Sequence, residues 1–204
     1  MAAKVQVIFY STYGHVYRLA EAIVEGARSV AGTDVQLFQV AETLSAEILA
    51  KMGATEAKKA FAHIPIADSK RLPEADAIIL GTPTRYGSAT AQMQAFIDST
   101  GSLWGSGALI GKLGSAFTST ASQHGGQETT LLSMMLPLLH HGMLVIGLPY
   151  TQAELNATRA GGTPYGASHF AGLADDQPVS DDERTLCIAQ GRRLAGISLK
   201  LCRA

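Results

Sequence analysis

Three short segments gather the residue types from which a ligand site is built. Ser11-Thr12-Tyr13-Gly14-His15, Thr82 to Thr90 and Ser119 to Gly126 are rich in hydroxyls, glycine and tyrosine. Arg85 is the only Lys, Arg, Asp or Glu among them. The first stands where a buried apolar run, Val5 to Tyr10, gives way to a helical stripe of Val16, Leu19, Ala20, Ile23, Val24 and Ala27. A helix start leaves N–H groups unpaired and carries the positive end of the helix dipole, which suits a phosphate. Ser11 and Thr12 add hydroxyl donors, and Gly14 lets a ligand approach the backbone closely. A plain strand–helix turn has the same local pattern. Three such loops together favour binding.

Other chemistries fail on spacing. Gly105-Ser106-Gly107-Ala108-Leu109-Ile110 lacks the last glycine of a dinucleotide fingerprint, and Gly111-Lys112-Leu113 lacks the hydroxyl of a Walker A loop. No G-x-S-x-G elbow and no H-E-x-x-H occurs. The six histidines (His15, His63, His124, His140, His141 and His169) show no metal-ligand spacing, so no metal is expected. His140 and His141 stand between a helix end and a strand, where they either complement the helix dipole or touch a ligand. Trp104 sits among Gly101, Ser102, Gly105 and Gly107, and suits a core, an interface or the wall of a flat aromatic pocket.

The elements that position these loops follow from hydrophobic period. Strands are expected at Val5–Tyr10, Val35–Val40, Ala75–Gly81, Leu113–Thr118 and Met143–Ile146, alternating with helices. Pro137 is expected to kink or end the helix that starts near Gln127. Ser180 followed by Glu183 reads as a capping box opening the last helix. Residues 41–72 read as an insertion with one short helix near Ser45 to Lys51, and residues 150–178 as a loop excursion around Gly161-Gly162-Thr163-Pro164-Tyr165-Gly166. That excursion is either functional or a plain surface loop. Five apolar strands alternating with helices imply an α/β fold with a doubly wound parallel sheet, covered on both faces. The flavodoxin-like order 2-1-3-4-5 is expected, in a single domain over 1–204.

Composition narrows the partners. The chain has 204 residues, net charge −1, 47% hydrophobic and 16% charged residues, which argues against nucleic-acid binding and against disorder. The longest apolar region, Met134 to Tyr150, is broken by Pro137, His140, His141 and Gly142 and is no membrane span. The apolar run after the N-terminus is too short for a signal peptide. Cys187 and Cys202 lie about 22 Å apart if on one helix, too far to pair, so reduced thiols and a cytoplasmic location are expected.

Five runs in this order closely resemble the WrbA family of flavodoxin-like NAD(P)H:quinone oxidoreductases. They are Tyr10-Ser11-Thr12-Tyr13-Gly14-His15, Gly81-Thr82-Pro83-Thr84-Arg85-Tyr86-Gly87, Gly125-Gly126-Gln127-Glu128, His140-His141-Gly142 and Gly161 to Ala167. The resemblance extends to Glu42-Thr43-Leu44 and Leu103-Trp104 and so covers nearly the whole chain. It implies bound FMN, with the phosphate at Ser11, Thr12, Tyr13, Gly14, His15 and Val16. The flavin ring would lie against Thr84, Arg85 and Tyr86 and the loop Ser119, Thr120, Ala121, Ser122, Gln123, His124, Gly125 and Gly126, with His140 as a further contact. It also implies NADH or NADPH as donor near Tyr13, a quinone acceptor walled by Trp104, and a homotetramer with active sites close to subunit boundaries. Family members often carry Phe at the position of Tyr86 and glycine in place of Ala121, Gln123 and His124, so loop 121–124 is expected to track the flavin differently.

The leading functional expectation is two-electron transfer from NAD(P)H to a quinone through FMN, in ping-pong fashion, with Tyr13, Arg85 and His140 as candidate catalytic residues. An electron-carrier flavodoxin is the first alternative, and the near-neutral charge speaks against its usual acidic face. A regulatory binding protein without catalysis is the second, and no basic patch supports it.

Overall fold

Alternate residues of the first strand feed two different cores, and the architecture follows from that. The computed structural model describes residues 2–202. In β1 (Ala3–Phe9), Val5, Val7 and Phe9 enter one buried cluster, while Ile8 and the following Tyr10 enter the other. A strand buried on both faces belongs in the middle of a parallel sheet. Its neighbours are β2 (Thr33–Gln39) and β3 (Ala77–Pro83), followed outward by β4 (Leu113–Thr120) and β5 (Leu144–Val145), giving the parallel order 2-1-3-4-5. The expected α/β flavodoxin-like sheet is therefore present, with helices on both faces.

On one face lie α1 (His15–Arg28) and α8 (Asp181–Leu201), on the other α4 (Ala91–Asp98) and α6 (Gln127–His140). α8 opens with the expected capping box: Ser180 Oγ accepts from the Glu183 N–H and the Glu183 carboxylate accepts from the Ser180 N–H. The backbones of α1 and α8 touch. A Cβ on Gly26 would lie 2.0 Å from the carbonyl oxygen of Ile188, and one on Gly191 2.0 Å from that of Ile23.

Several expectations are corrected. The fifth strand has two residues rather than four, and a sixth, β6 (Ser168–Phe170), lies inside the expected excursion. Both pair with β4, β5 at Leu113–Gly114 and β6 at Thr118–Thr120, so one edge lane is built in two pieces. The gap is filled by a side chain: buried Gln190 donates to Ala116 O (2.8 Å) and Ser115 Oγ (2.7 Å) and accepts from Ala167 N (2.8 Å). A three-residue strand has too little hydrophobic pattern to be read from sequence.

Pro137 lies within α6 and does not end it. Buried Leu138 anchors the next turn, and the helix closes only at Gly142 (φ +72°), with Met143 N donating to Leu138 O. Despite its flanking glycines, Trp104 is in a short helix, α5 (Gly101–Ser106). Ser119 and Thr120 end β4, and Thr82 and Pro83 end β3, each two residues beyond the expected boundary. Insertion 41–72 carries the expected helix, α2 (Ala46–Lys51, capped by Ser45), then α3 (Thr55–Lys59) and a 3₁₀ turn starting at Ser69. A further short helix, α7 (Glu154–Ala157), lies between β5 and β6.

The α1–α8 contact sets a prediction. Gly191→Ala forces the two backbones apart and should lower unfolding free energy by about 2–3 kcal/mol in urea. Gly196→Ala, where a Cβ meets nothing within 4 Å, should leave stability unchanged or raise it by up to about 1 kcal/mol.

Candidate functional site

The C-terminal ends of β1, β3 and β4 open into a cavity of about 410 Å³. This is where an open α/β sheet binds ligands. All three polar loops reach it: Ser11, Thr12 and Tyr13 from the first, Pro83 to Arg85 from the second, Ser119 to Ala121 from the third.

At the start of α1, Gly14 takes φ +94°, a conformation open to glycine, and no side chain caps the helix. The Gly14 N–H donates to Ser11 Oγ (3.0 Å), which leaves the following first-turn amides free of side-chain partners beside His15 and Val16, which line the cavity. Arg85 reaches across from the second loop to donate to Thr12 Oγ1 (3.2 Å). Thr84 ties the second loop to the third: its N–H donates to Ser119 O, and its hydroxyl accepts from Thr130 Oγ1 (2.8 Å).

The insertion, to which the sequence assigned no role, braces the first loop. Lys58 Nζ donates to Ser11 O (3.1 Å) and pairs with Glu42 (2.7 Å). Glu42 also accepts from Tyr10 Oη, Gln92 and the Thr43 and Leu44 amides. Burial alone would raise the Glu42 pKa, but bonds from Lys58, the Leu44 amide, Tyr10 and Gln92 more than offset it and hold the carboxyl at about 2. Tyr10 is pushed well above its ordinary value by burial and by Glu42. From the same insertion, Met52 lines the cavity and its carbonyl accepts from Tyr13 Oη (3.2 Å).

A second bracing unit comes from the excursion, for which the sequence leaves a functional segment and a surface loop both open. Ala171 to Asp175, after β6, close one side of the cavity. Asp175 Oδ1 contacts His15 Nε2 (2.9 Å), His15 Nδ1 contacts His169 Nε2 (3.0 Å), and His169 Nδ1 contacts Glu183 Oε2 (2.9 Å). His169 and Glu183 are buried. Burial lowers the basicity of His15, with Asp175 opposing and His169 and Arg18 adding to the lowering.

The expected site residues therefore divide. Ser11, Thr12, Tyr13, His15, Val16, Thr84, Arg85, Ser119, Thr120 and Ala121 line the cavity, with Gly14 at its turn. Tyr86 (φ +53°) stands fully exposed outside the lining, and Ser122 to Gly126 build the turn behind it, with Gly126 packed on Gly87. His140 ends α6, whose 14 residues carry it about 20 Å from the cavity end. It is exposed, whereas His141 turns inward to Thr100 Oγ1 (2.8 Å). Trp104 is exposed on α5 at that same remote end. Among the described residues no group of three or more His, Cys, Asp or Glu is placed to hold a metal, and no helix is long and apolar enough to cross a membrane.

Comparison with known proteins agrees with this geometry. The NADPH-dependent FMN reductase family matches residues 4–155. Proteins named NAD(P)H dehydrogenase (quinone) are 54% identical in Aromatoleum aromaticum over 98% of both chains, and 55% identical in Syntrophobacter fumaroxidans over 98% of this chain and 99% of that one. Among solved structures, a WrbA-like flavodoxin from Agrobacterium tumefaciens aligns at TM-score 0.68 and 25% identity, covering 98% of this chain and 99% of that one. An archaeal flavodoxin aligns at TM-score 0.61 and 22% identity, covering 96% and 99%, a likeness of fold.

The Glu42 clamp gives a pH prediction. Its folded pKa lies below the unfolded value, so its contribution is fully present above about pH 4.5 and is lost as pH falls toward 2. Glu42→Gln should destabilise by about 1–2 kcal/mol at pH 7, allowing for solvent screening. In urea titrations the gap from the parent should close progressively below about pH 4.5.

Proposed function

This chain belongs to the WrbA family of flavodoxin-like NAD(P)H dehydrogenases (quinone), within the NADPH-dependent FMN reductases, and we propose that it carries two electrons from NADH or NADPH to a quinone through bound FMN. The observation that carries the reading is the uncapped start of α1, opening into a cavity that hydroxyls and apolar groups share. The donor set fits the cofactor. Ser11, Thr12 and the amides of Tyr13, His15 and Val16 offer neutral donors to a phosphate, and Met52, Pro83, Ala121, Ala171 and Leu173 offer apolar surface to a flat ring. When bound, FMN supplies the two-electron redox chemistry.

The chain's own residues bind and orient. Ser11, Thr12, Tyr13, Gly14, His15 and Val16 hold the phosphate end. Thr84, Arg85 and Ser119 to Ala121 frame the ring, with Ser122 to Gly126 building the turn behind them and Tyr86 exposed beside it. Arg85, fixed to Thr12, favours negative charge that develops beside it. Tyr13, half-exposed at the mouth, meets the nicotinamide and is a candidate proton donor together with His140. Nicotinamide and quinone use one cavity in turn, which gives ping-pong kinetics.

Trp104 and His140 enter this scheme across a subunit boundary. Leu132, Leu136 and Leu139 form an exposed apolar stripe on α6, with Trp104 and Leu144 also exposed. A homotetramer that covers this face would bring Trp104 and His140 of one copy toward the cavity of another. The unpaired Cys187 and Cys202 fit a cytoplasmic location.

The purified protein, reconstituted with FMN, should show a visible flavin spectrum that bleaches with NADH or NADPH and recovers on adding benzoquinone. Initial rates with both substrates varied should give parallel double-reciprocal lines. Stable FMN binding without quinone turnover would overturn the enzymatic reading in favour of a carrier.

A further inference from the structure

The chain Asp175–His15–His169–Glu183 constrains its own protons. Glu183 accepts four bonds, from the Gly161, Phe170 and Ser180 amides and from His169 Nδ1, all at 2.8–2.9 Å. A carboxylate that accepts three amides is ionised and has no proton to give, so His169 Nδ1 is the donor. At the other end, 2.9 Å away, the Asp175 carboxylate can only accept, which makes His15 Nε2 the donor. With one proton spent at each end, His15 Nδ1 and His169 Nε2 would face each other with lone pairs at 3.0 Å. A hydrogen bond there needs a third proton on two imidazoles, and the pair that takes it up is a single shared cation.

We propose that His169 is a positioning residue for the flavin phosphate, holding that extra proton, and so one positive charge, at the His15 end of the phosphate loop. The inference rests on the flavin reading above and deepens it. None of the three polar loops carries a lysine; Lys58 and Arg85 reach the first loop from elsewhere, at Ser11 O and Thr12 Oγ1, and the extra proton adds a charge at its other end, beside His15. His15 stands in the first turn of α1 and lines the cavity, whereas His169 is buried behind it and fixes both its orientation and its proton.

The charged and titratable groups packed around the pair are few. Asp175 follows β6 and is half-exposed, so water screens it. Glu183 is buried on α8 and keeps its full field. Burial chiefly, then the neighbouring imidazole and Arg18 on α1, oppose the extra proton and lower the basicity of His15, against the pull of Asp175. Beyond Glu183, burial keeps the Cys187 thiol neutral, and Arg184 is engaged by Glu25. The extra proton is thus weakly held without a ligand, and an arriving phosphate strengthens it. By linkage, phosphate binding takes up a proton and affinity falls as pH rises.

The test compares FMN with riboflavin, which lacks the phosphate, between pH 7 and 8.5, where the phosphate is already dianionic. For the apoprotein, the FMN Kd should rise by several-fold, at most about tenfold per pH unit for one linked proton. Calorimetry in buffers of differing ionisation enthalpy should record net proton uptake. Riboflavin should show neither effect. His169→Gln, which keeps a donor for Glu183 but cannot carry the charge, should bind FMN more weakly at pH 7 and with a flat pH profile, leaving the riboflavin Kd within about twofold. A parent protein that binds FMN with a pH-independent Kd and no proton uptake overturns the proposal, as does a variant that keeps the parent's profile. Should His169→Gln fail to fold, the parent's profile and proton count decide alone. FMN that binds at no pH overturns the flavin reading itself, and this inference with it.

Discussion

One buried carboxylate organises the half of the molecule that the hydrophobic pattern leaves loose. Glu183 caps the helix it begins, fixes the amides of Gly161 and Phe170, and anchors the imidazole of His169. A buried charge is tolerated only when its acceptor sites are filled, and here that requirement pins three distant stretches of chain to one point. Those stretches carry the wall of the cavity from Ala171 to Asp175. The site thus rests on two supports of different kinds. The sheet places the three polar loops through hydrophobic burial, whereas Glu183 and the Glu42–Lys58 pair place everything else through hydrogen bonds.

The edge lane shows how a polar side chain substitutes for backbone. β4 needs partners along its whole exposed edge, yet β5 supplies only two residues and β6 three. Gln190 presents a donor and an acceptor together, the same pair that a peptide unit offers, and it does so from a helix on the sheet's face. The close contact of α1 with α8 through Gly26 and Gly191 holds α8 where that side chain reaches the gap.

Much of this was legible in the amino-acid order. The four long strand positions, the stripe of α1, the Ser180–Glu183 box and the convergence of three polar loops all arise from local pattern. The corrections share a cause. β6 and β5 are too short for periodicity, Pro137 is outweighed by the packing of Leu138, and α5 forms in a glycine-bearing stretch that reads as loop. The partners of the site, Lys58 on Ser11 and His169 on His15, lie 47 and 154 residues away in sequence, so no local signal joins them. Glu183 was visible as a cap but not as an anchor, because capping uses neighbours and anchoring uses the fold. His140 and Trp104, which the resemblance expected at the flavin and its substrate, stand at the end of the sheet remote from the chain's own cavity.

The two-piece lane also bears on how such a protein can change over time. A strand made in one piece fixes the number of residues between its ends. Here the connection from β5 to β6 leaves the sheet and returns, and the register of the return is set by Gln190 and Glu183 rather than by the connector's length. Closing a longer loop costs little, about 0.6 kcal/mol for each doubling. Insertions and deletions between Gly147 and Gly161 can therefore accumulate without moving the cavity wall. The connector before Gly161, unlike the cavity wall later in the excursion, is thereby open to divergence in length among descendants of a common ancestor.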